Sequence, residues 1–316
     1  MRHNKFFLKI SRKIQAAFLL RYKTIQLHLI LKFNPPMKNL FLLFLITLSL
    51  PSFSQYYYKD LVSSEETGRL MKTYLLNKVS IVLAAGYDPN GVKTNDFDEK
   101  REVLQNGTIL KTTTRHNTDF TVSISRFSDQ HRLLEITDSS AGFRSVTMYD
   151  YDASGKISSI RNNTKDSSDE INPAEIHFWF YNATGQPVRM IQVINGTDST
   201  EYKFQTDENG NVMNEQSFRK GNPGEMIYYY YDDKNRLTDI VRYNERLKKL
   251  LPDYMFEYDE NDHVIQKLTT LSNMHLGYLI WRYAYNDRGL KTKEALYNKD
   301  KVMTGKIEYS YTFSGQ

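Results

Sequence analysis

One short phrase recurs along this chain and limits what it can fold into. Residues 149–157 read YDYDASGKI, and related strings return as FYNATGQPV from Phe180, YYDDKNRL from Tyr230, FEYDENDHV from Phe256 and YAYNDRGL from Tyr283. With the glycine of each unit as an anchor, the anchors fall at Gly91, Gly107, His131, Gly155, Gly185, Gly210, Asn235, Asp262, Gly289 and Gly315. Their separations run 16, 24, 24, 30, 25, 25, 27, 27 and 26 residues. A drifting period in the twenties marks a repeated supersecondary unit whose length differences are absorbed in loops.

The unit has a physical reading. Asp or Asn stands three before the anchor at Asp88, Asp152, Asn182, Asp207, Asp232, Asp259 and Asn286, where its side chain accepts backbone N–H groups and starts a type I turn. The anchor then takes positive φ and closes a bulged hairpin, which favours glycine. His131, Asn235 and Asp262 replace glycine with the residue types that best tolerate that conformation.

Aromatic pairs lie four and six before the anchor: Tyr149/Tyr151, Trp179/Tyr181, Tyr229/Tyr231, Phe256/Tyr258, Tyr283/Tyr285 and Tyr309/Tyr311. A spacing of two puts each pair on one strand face, next to the aromatics of its neighbour. The opposite face mixes Asp150, Lys203, Glu257, Arg282 and Glu308 with Phe178, Phe180 and Tyr228. Each unit is therefore a two-stranded hairpin with strands of roughly nine residues, or about 30 Å. The expected fold is all-β: an antiparallel meander of nine to ten hairpins in a long curved or barrel-like sheet. Gly315 leaves Ile307–Tyr311 as the final strand, at an edge or a seam.

Four segments follow. Residues 1–54 hold nine Lys or Arg and no acid, while the remainder carries 33 basic against 37 acidic residues. The net +5 thus belongs to the leader, which removes the support for a nucleic-acid partner. From Met37, MKNLFLLFLITLSLPSFSQ has a lysine, an apolar run and small residues at Ser52 and Ser54, the plan of a secretory signal cut before Gln55. Residues 37–54 are read as that signal, its apolar run too short to span a bilayer, and 1–36 as an upstream over-extension of the reading frame. Membrane contact is expected only through the signal.

Residues 55–78 form an N-terminal helical segment. In SSEETGRLMKTYLLNK, Ser63 or Ser64 is the expected N-cap, Glu65 and Glu66 sit in the first turn, and Leu70, Met71, Tyr74 and Leu75 form an apolar stripe. This helix is expected to cover one mouth or edge of the sheet. Residues 79–316 are the hairpin-repeat domain. The chain has no cysteine, so it is not a cysteine-anchored lipoprotein and has no disulfides; a periplasmic, secreted or cell-surface protein fits.

With these turns in view, the chain resembles the YD-repeat (Rhs-type) tyrosine-rich proteins of bacterial envelopes over roughly residues 79–316. It departs from their pattern in lacking glycine at three anchors. The resemblance implies a curved antiparallel scaffold and no catalytic residue.

Nothing in the sequence names a reaction. HExxH, P-loop, GxSxG and dinucleotide-binding patterns are absent. His116, His131, His177, His263 and His275 are scattered singly, and 207–211 and 259–263 resemble calcium loops only faintly. Asp166, Asp169 and Glu170 read as a solvated loop, and no cofactor or metal is expected. Trp179, Tyr181, Trp281 and Tyr283 are the candidate ligand platform, with sheet packing the bland reading of the same residues. The expected function is a non-enzymatic structural or binding scaffold of the cell envelope, with a polysaccharide or an envelope protein as partner. The alternatives are an outer-membrane β-barrel and an envelope glycan hydrolase.

Overall fold

A computed structural model describes residues 55–140, 142–166, 174–244, 247–270 and 277–315. The expected over-extension (1–36), the expected signal (37–54), His275, Asp169, Glu170 and the side chain of Asp166 lie outside the described residues. A π-helical turn, Tyr57–Val62, runs into helix α1, Ser63–Leu76. Strands follow at Val79–Tyr87 (β1), Lys93–Leu104 (β2), Ile109–His116 (β3), Asp119–Phe127 (β4), Leu133–Ser140 (β5) and Phe143–Tyr151 (β6). The next six are Ile157–Asp166 (β7), Glu175–Tyr181 (β8), Pro187–Ile194 (β9), Asp198–Thr206 (β10), Val212–Arg219 (β11) and Asn222–Tyr231 (β12). Leu237–Asn244 (β13), Lys249–Tyr258 (β14), Val264–Thr270 (β15), Tyr278–Tyr285 (β16), Lys291–Tyr297 (β17) and Met303–Phe313 (β18) complete the set.

Each strand pairs antiparallel with its sequence neighbours, and β18 pairs back onto β1 with Tyr311 opposite Val82 and Tyr309 opposite Ala84. The sheet is a closed meander barrel of nine hairpins, and the last strand is its seam. Closure leaves no strand edge to pair with another chain.

The turns answer why tyrosine, aspartate and glycine recur. At 152–156, Asp152 Oδ1 accepts the N–H groups of Ser154 and Lys156, both at 2.9 Å, and Gly155 sits at φ 83°. The same two-point acceptance recurs at Asn182, Asp207, Asp232, Asp259 and Asn286. His131, Asn235 and Asp262 hold φ values of 60°, 59° and 65° in glycine's place.

In six units the tyrosine four before the anchor then ties its turn to the one before it. Tyr151 donates to the Leu133 carbonyl (2.7 Å), Tyr181 to Ile157 (2.8 Å), Tyr231 to Val212 (3.0 Å), Tyr258 to Leu237 (2.7 Å), Tyr285 to Val264 (3.1 Å) and Tyr311 to Lys291 (2.6 Å). Its ring is capped by the residue that follows the preceding anchor: Arg132 over Tyr151, Lys156 over Tyr181, Arg236 over Tyr258, His263 stacked on Tyr285. These turns line one rim, because connections after even-numbered strands of a meander all fall at the same end.

Two anchors depart from that scheme. The turn of Asp88 and Gly91 has the same geometry but joins β1 to β2, at the far rim. Gly107 closes a 3₁₀ turn, Gln105–Gly107, with no Asp beneath it. A further turn of this geometry, Asn298 to Lys301, lies at the far rim and escapes the sequence pattern because a lysine holds the positive φ of 61°.

Barrel walls alternate. Trp179, Met190, Tyr202, Val212, Ile227, Tyr229 and Ile240 point inward and are buried, while Phe178, Phe180 and Lys203 face out. The outer face carries ion pairs across strands, among them Arg161–Asp150 (2.8 Å), Arg126–Glu135 (3.4 Å) and Arg189–Glu201 (3.7 Å).

Inside, α1 packs Met71 and Tyr74 against Val82, Leu110, Phe127, Leu133 and Leu290. Gly68 is required there, since a Cβ would stand 2.9 Å from the His131 carbonyl oxygen. The expected serine cap is not formed. Val62 occupies the N-cap without a side-chain bond, and Ser63 and Ser64 instead donate back to the Lys59 and Leu61 carbonyls. The physical reason is that the helix begins earlier: the π-helical turn already holds the backbone that a serine would have capped. The segment also does more than cover a mouth. Asn77 touches the rim at the Arg288 carbonyl (3.2 Å), while Tyr56, Tyr57 and Tyr58 reach down the lumen to Tyr202, Tyr229 and Tyr254.

Candidate functional site

The lumen around this plug gathers the buried polar chemistry. At the plug's start, the fully buried Glu215 accepts the N–H groups of Tyr56 (3.2 Å) and Tyr57 (3.0 Å) and the hydroxyl of Tyr229 (2.8 Å). A wall carboxylate thereby satisfies the orphan donors of the first turn, the task of an N-cap. Beside it, the Gln55 amide donates to Asp253 (2.7 Å), which also takes Arg242.

One turn further on, His177 lies between two carboxylates. Nδ1 is 2.6 Å from Asp60 of the plug and Nε2 is 2.8 Å from Glu175 of its own strand. Trp179 Nε1 donates to the same Asp60 oxygen at 3.1 Å. Burial alone would depress the imidazole, but Asp60 and then Glu175 outweigh it and push the His177 pKa up to about 9. Glu175 is held below the usual carboxylate range, chiefly by its bond from His177. A histidine with both ring nitrogens committed to carboxylates clamps the plug to the wall and has no free nitrogen to accept a proton.

One side of α1 is exposed. Glu65, Glu66, Arg69, Lys72 and Leu76 recur at helical spacing and are all open to solvent. Opposite Glu66 stand Lys267 and Lys291 on the inner wall. Glu66 is exposed, yet the protein crowded around it raises its carboxyl, offset first by Arg69 and then by Lys267; burial lowers the Lys267 ammonium, partly offset by Glu66. Lys267 Nζ rests 4.7 Å from the ring centre of Tyr254, and Lys291 pairs with Glu294 (2.7 Å) over the ring of Tyr283. Among the described residues, Glu66, Arg69 and Lys267 make no side-chain hydrogen bond or ion pair, which leaves three charged groups close together at the exposed side of α1.

The four expected platform residues are placed on two walls, eight strands apart. Trp179 is 4% exposed, stacked on Phe204 at 5.1 Å, and Tyr181 is engaged at Ile157. Trp281, opposite Lys267 across β15–β16, is 9% exposed, and Tyr283 is half-buried beneath Lys291. The structure brings neither pair to the other, and no tryptophan face is open. His116, His131 and His263 stand apart from His177, and among the described residues no three His, Cys, Asp or Glu side chains converge as a metal site.

Sequence reasoning missed Asp60, Glu215, Lys267 and the role of His177. The only available signal was the rarity of a charged residue on a strand face whose neighbours across the sheet include aromatics, as in Glu215 opposite Phe204. An open pocket of about 310 Å³ lies on β1–β4, lined by Leu83, Lys93, Asp98, Lys100, Arg115 and Phe120. Its charges are spent on one another, Asp98 with Arg115 and Lys93 and Lys100 with Glu102.

No family model matches this chain, and no curated protein matches it. Solved structures that align with part of this chain include a porin-like protein from Bacteroides uniformis, 9% identical over 74% of this chain and 98% of that one, TM-score 0.36. Another is the Photorhabdus luminescens Tc holotoxin pore, 14% identical over 68% of this chain but 12% of that chain, TM-score 0.31. A DUF1329 family protein from Desulfovibrio piger is 10% identical over 81% of this chain and 93% of that one, TM-score 0.19. Scores this low carry no property of those proteins over to this one.

Proposed function

We propose that this chain is an exported, water-facing β-barrel of the YD-repeat kind that serves the bacterial envelope as a non-enzymatic binding or structural module. The observation that supports it is the polarity of the wall. Ion pairs such as Arg161–Asp150 and Arg189–Glu201 lie on the outer face, and the inner face packs tyrosines and apolar side chains onto a plug. A lipid-spanning barrel has the reverse arrangement, and an outward Arg or Lys costs it about 2–4 kcal/mol at the bilayer midplane.

The exposed side of α1 is where a polysaccharide or an envelope protein would touch, with Glu66, Arg69 and Lys267 as contacts. Osmotic shock and alkaline extraction of cells making the full chain test the location: release without detergent is expected, and retention in membranes until detergent is added contradicts it. A glycan and peptide binding panel with wild type and Lys267→Met tests this face. Binding weakened by the substitution supports it, and binding indifferent to it moves the contact surface elsewhere.

A further inference from the structure

Asparagine is a chemically labile residue, and it is most open to attack where glycine follows, because no side chain hinders the approach of the glycine nitrogen. Four such steps stand in this sequence: Asn90–Gly91, Asn106–Gly107, Asn195–Gly196 and Asn209–Gly210. In a folded chain the attack needs a free glycine N–H and a turn that can open, so the fold decides which step reacts.

Three of the four are held. Gly91 donates to the Asp88 carbonyl (3.0 Å) and Gly210 to the Asp207 carbonyl (3.1 Å). The side chain of Asp88 also accepts the N–H groups of Asn90 (2.9 Å) and Val92 (2.8 Å), and that of Asp207 those of Asn209 (2.9 Å) and Asn211 (2.8 Å). Gly107 is buried under α1, where Leu75 Cδ2 stands 2.4 Å from the site of a Cβ. Opening that turn means displacing Leu75.

Asn195–Gly196 is made differently. Residues 195–197 join β9 to β10 and are all exposed, and nothing lies within 4 Å of a Cβ built at Gly196. The turn is closed by one long bond, from the Thr197 N–H to the Ile194 carbonyl at 3.3 Å, and the Asn195 N–H reaches the Ala174 carbonyl at 3.0 Å. Among the described residues, neither the Gly196 N–H nor the Asn195 carboxamide has a hydrogen-bond partner. Both reacting groups are free, and no side chain has to move aside.

We propose that Asn195 is a self-modification site of the folded protein, converted to aspartate and isoaspartate with water as the only co-reactant. The Gly196 nitrogen bonds to Asn195 Cγ, the Cγ–Nδ2 bond breaks, and the amide leaves as ammonia, carrying the equivalent of the proton that the Gly196 nitrogen loses to solvent. Water then opens the five-membered imide at either of its two carbonyls. Either product adds a negative charge to the turn. Isoaspartate also adds a carbon to the main chain, in a turn where Asn195 and Gly196 hold φ values of 54° and 70°. The β9–β10 connection is thereby loosened at the far rim, while the turns of the tyrosine rim keep their bonds. This goes beyond the scaffold reading and does not depend on it.

The test incubates the full, purified chain in mildly alkaline buffer, folded and in urea, and maps peptides so that asparagine, aspartate and isoaspartate are resolved at all four steps. In the folded chain Asn195 is expected to convert about fivefold or more faster than Asn90, Asn106 or Asn209, the ratio implied by one hydrogen bond fewer to break. In urea the four should convert at comparable rates. Asp207→Ala, which strips the bonds to Asn209 and Asn211, should bring Asn209 towards the rate of Asn195. Asn195→Gln should remove the early product and leave the other three steps unchanged. Equal conversion of the four in the folded chain, another step in the lead, or Asn195 leading by the same margin in urea would overturn the proposal. So would an Asn195 that converts in urea and stays intact when folded.

Discussion

The two ends of the barrel are built by different rules. At the tyrosine rim, turns from 128–132 to 286–290 share one geometry, and the hydroxyls of Tyr151, Tyr181, Tyr231, Tyr258 and Tyr285, together with Tyr311 at the seam, bind the turn before them. Towards the far rim, the inner face carries Thr121, Asp138, Ser140, Asn162 and Thr164, small polar groups that bond locally or meet solvent. Connections there include a two-residue turn at Asn117 and a three-residue turn at Gly196. One end repeats because each unit there must fit its neighbour; at the other, nothing lies within 4 Å of a Cβ built at Gly91, Gly196 or Gly221, so those turns carry no such constraint. In a closed meander, a single well-made rim is enough to fix strand order and register.

Substitutions that treat the two ends alike should therefore have unequal effects. The largest belongs to the aromatic row just inside the tyrosine rim. Trp179→Ala removes a stacked, buried ring and orphans an Asp60 contact, and should cost about 3–5 kcal/mol in urea unfolding. A change under about 1 kcal/mol would show that this row is not core.

The His177 clamp comes next, and its effect depends on pH. Its folded pKa, about 9, lies above the unfolded value of 6.5. Its contribution is therefore fully present below about pH 6.5 and is lost as pH rises through about 9, amounting to at most about 3 kcal/mol. Lys59, whose pKa burial lowers, acts in the opposite sense higher in the range, so the difference between wild type and His177→Gln isolates the clamp. A difference that does not shrink between pH 6 and pH 10 would remove His177 from the account.

Gly155→Val follows, at about 1–2 kcal/mol from the positive φ alone. The new side chain must also displace Arg132, whose Nη1 is 2.5 Å from the site of a Cβ. Gly196→Val at the far rim carries the strain without the clash, because nothing lies within 4 Å of that position. Equal losses in thermal melts would mean that turn-to-turn contact adds nothing.

Smaller still, Tyr231→Phe and Tyr258→Phe should each cost about 1 kcal/mol by stranding a carbonyl, and Asn162→Ala about 0.5 kcal/mol or less. Lys301→Gly, which relieves positive φ at the far rim, should stabilise by about 0.5 kcal/mol.

How much of this can be read from the residues divides along the same line. Turn residues act on their own backbone within five positions, so Asp152, Gly155 and even His131 declare themselves. Lys301 does not, because it holds the turn against its own preference. The seam is legible only in part: Gly315 marks a last strand, but its pairing with β1, more than two hundred residues away, depends on how many strands complete the circuit. The lumen is least legible. Asp60 meets His177 across 117 residues, and Glu215 meets Tyr57 across 158, partnerships that only the closed sheet creates. Lys267 sits on an ordinary strand and becomes notable only because Glu66 faces it.

Closure is the claim on which both ends depend, and the absence of cysteine makes it directly measurable. Leu83 of β1 and Ser310 of β18 are directly opposite across the seam, on the outer face. In the Leu83→Cys/Ser310→Cys double variant, mild oxidation should form an intramolecular disulfide in nearly every molecule, found by mass spectrometry of the linked peptides, with a thermal midpoint no lower than that of the reduced form. Free thiols, or disulfides joining separate chains, would show that β1 and β18 are open edges and that the barrel does not close.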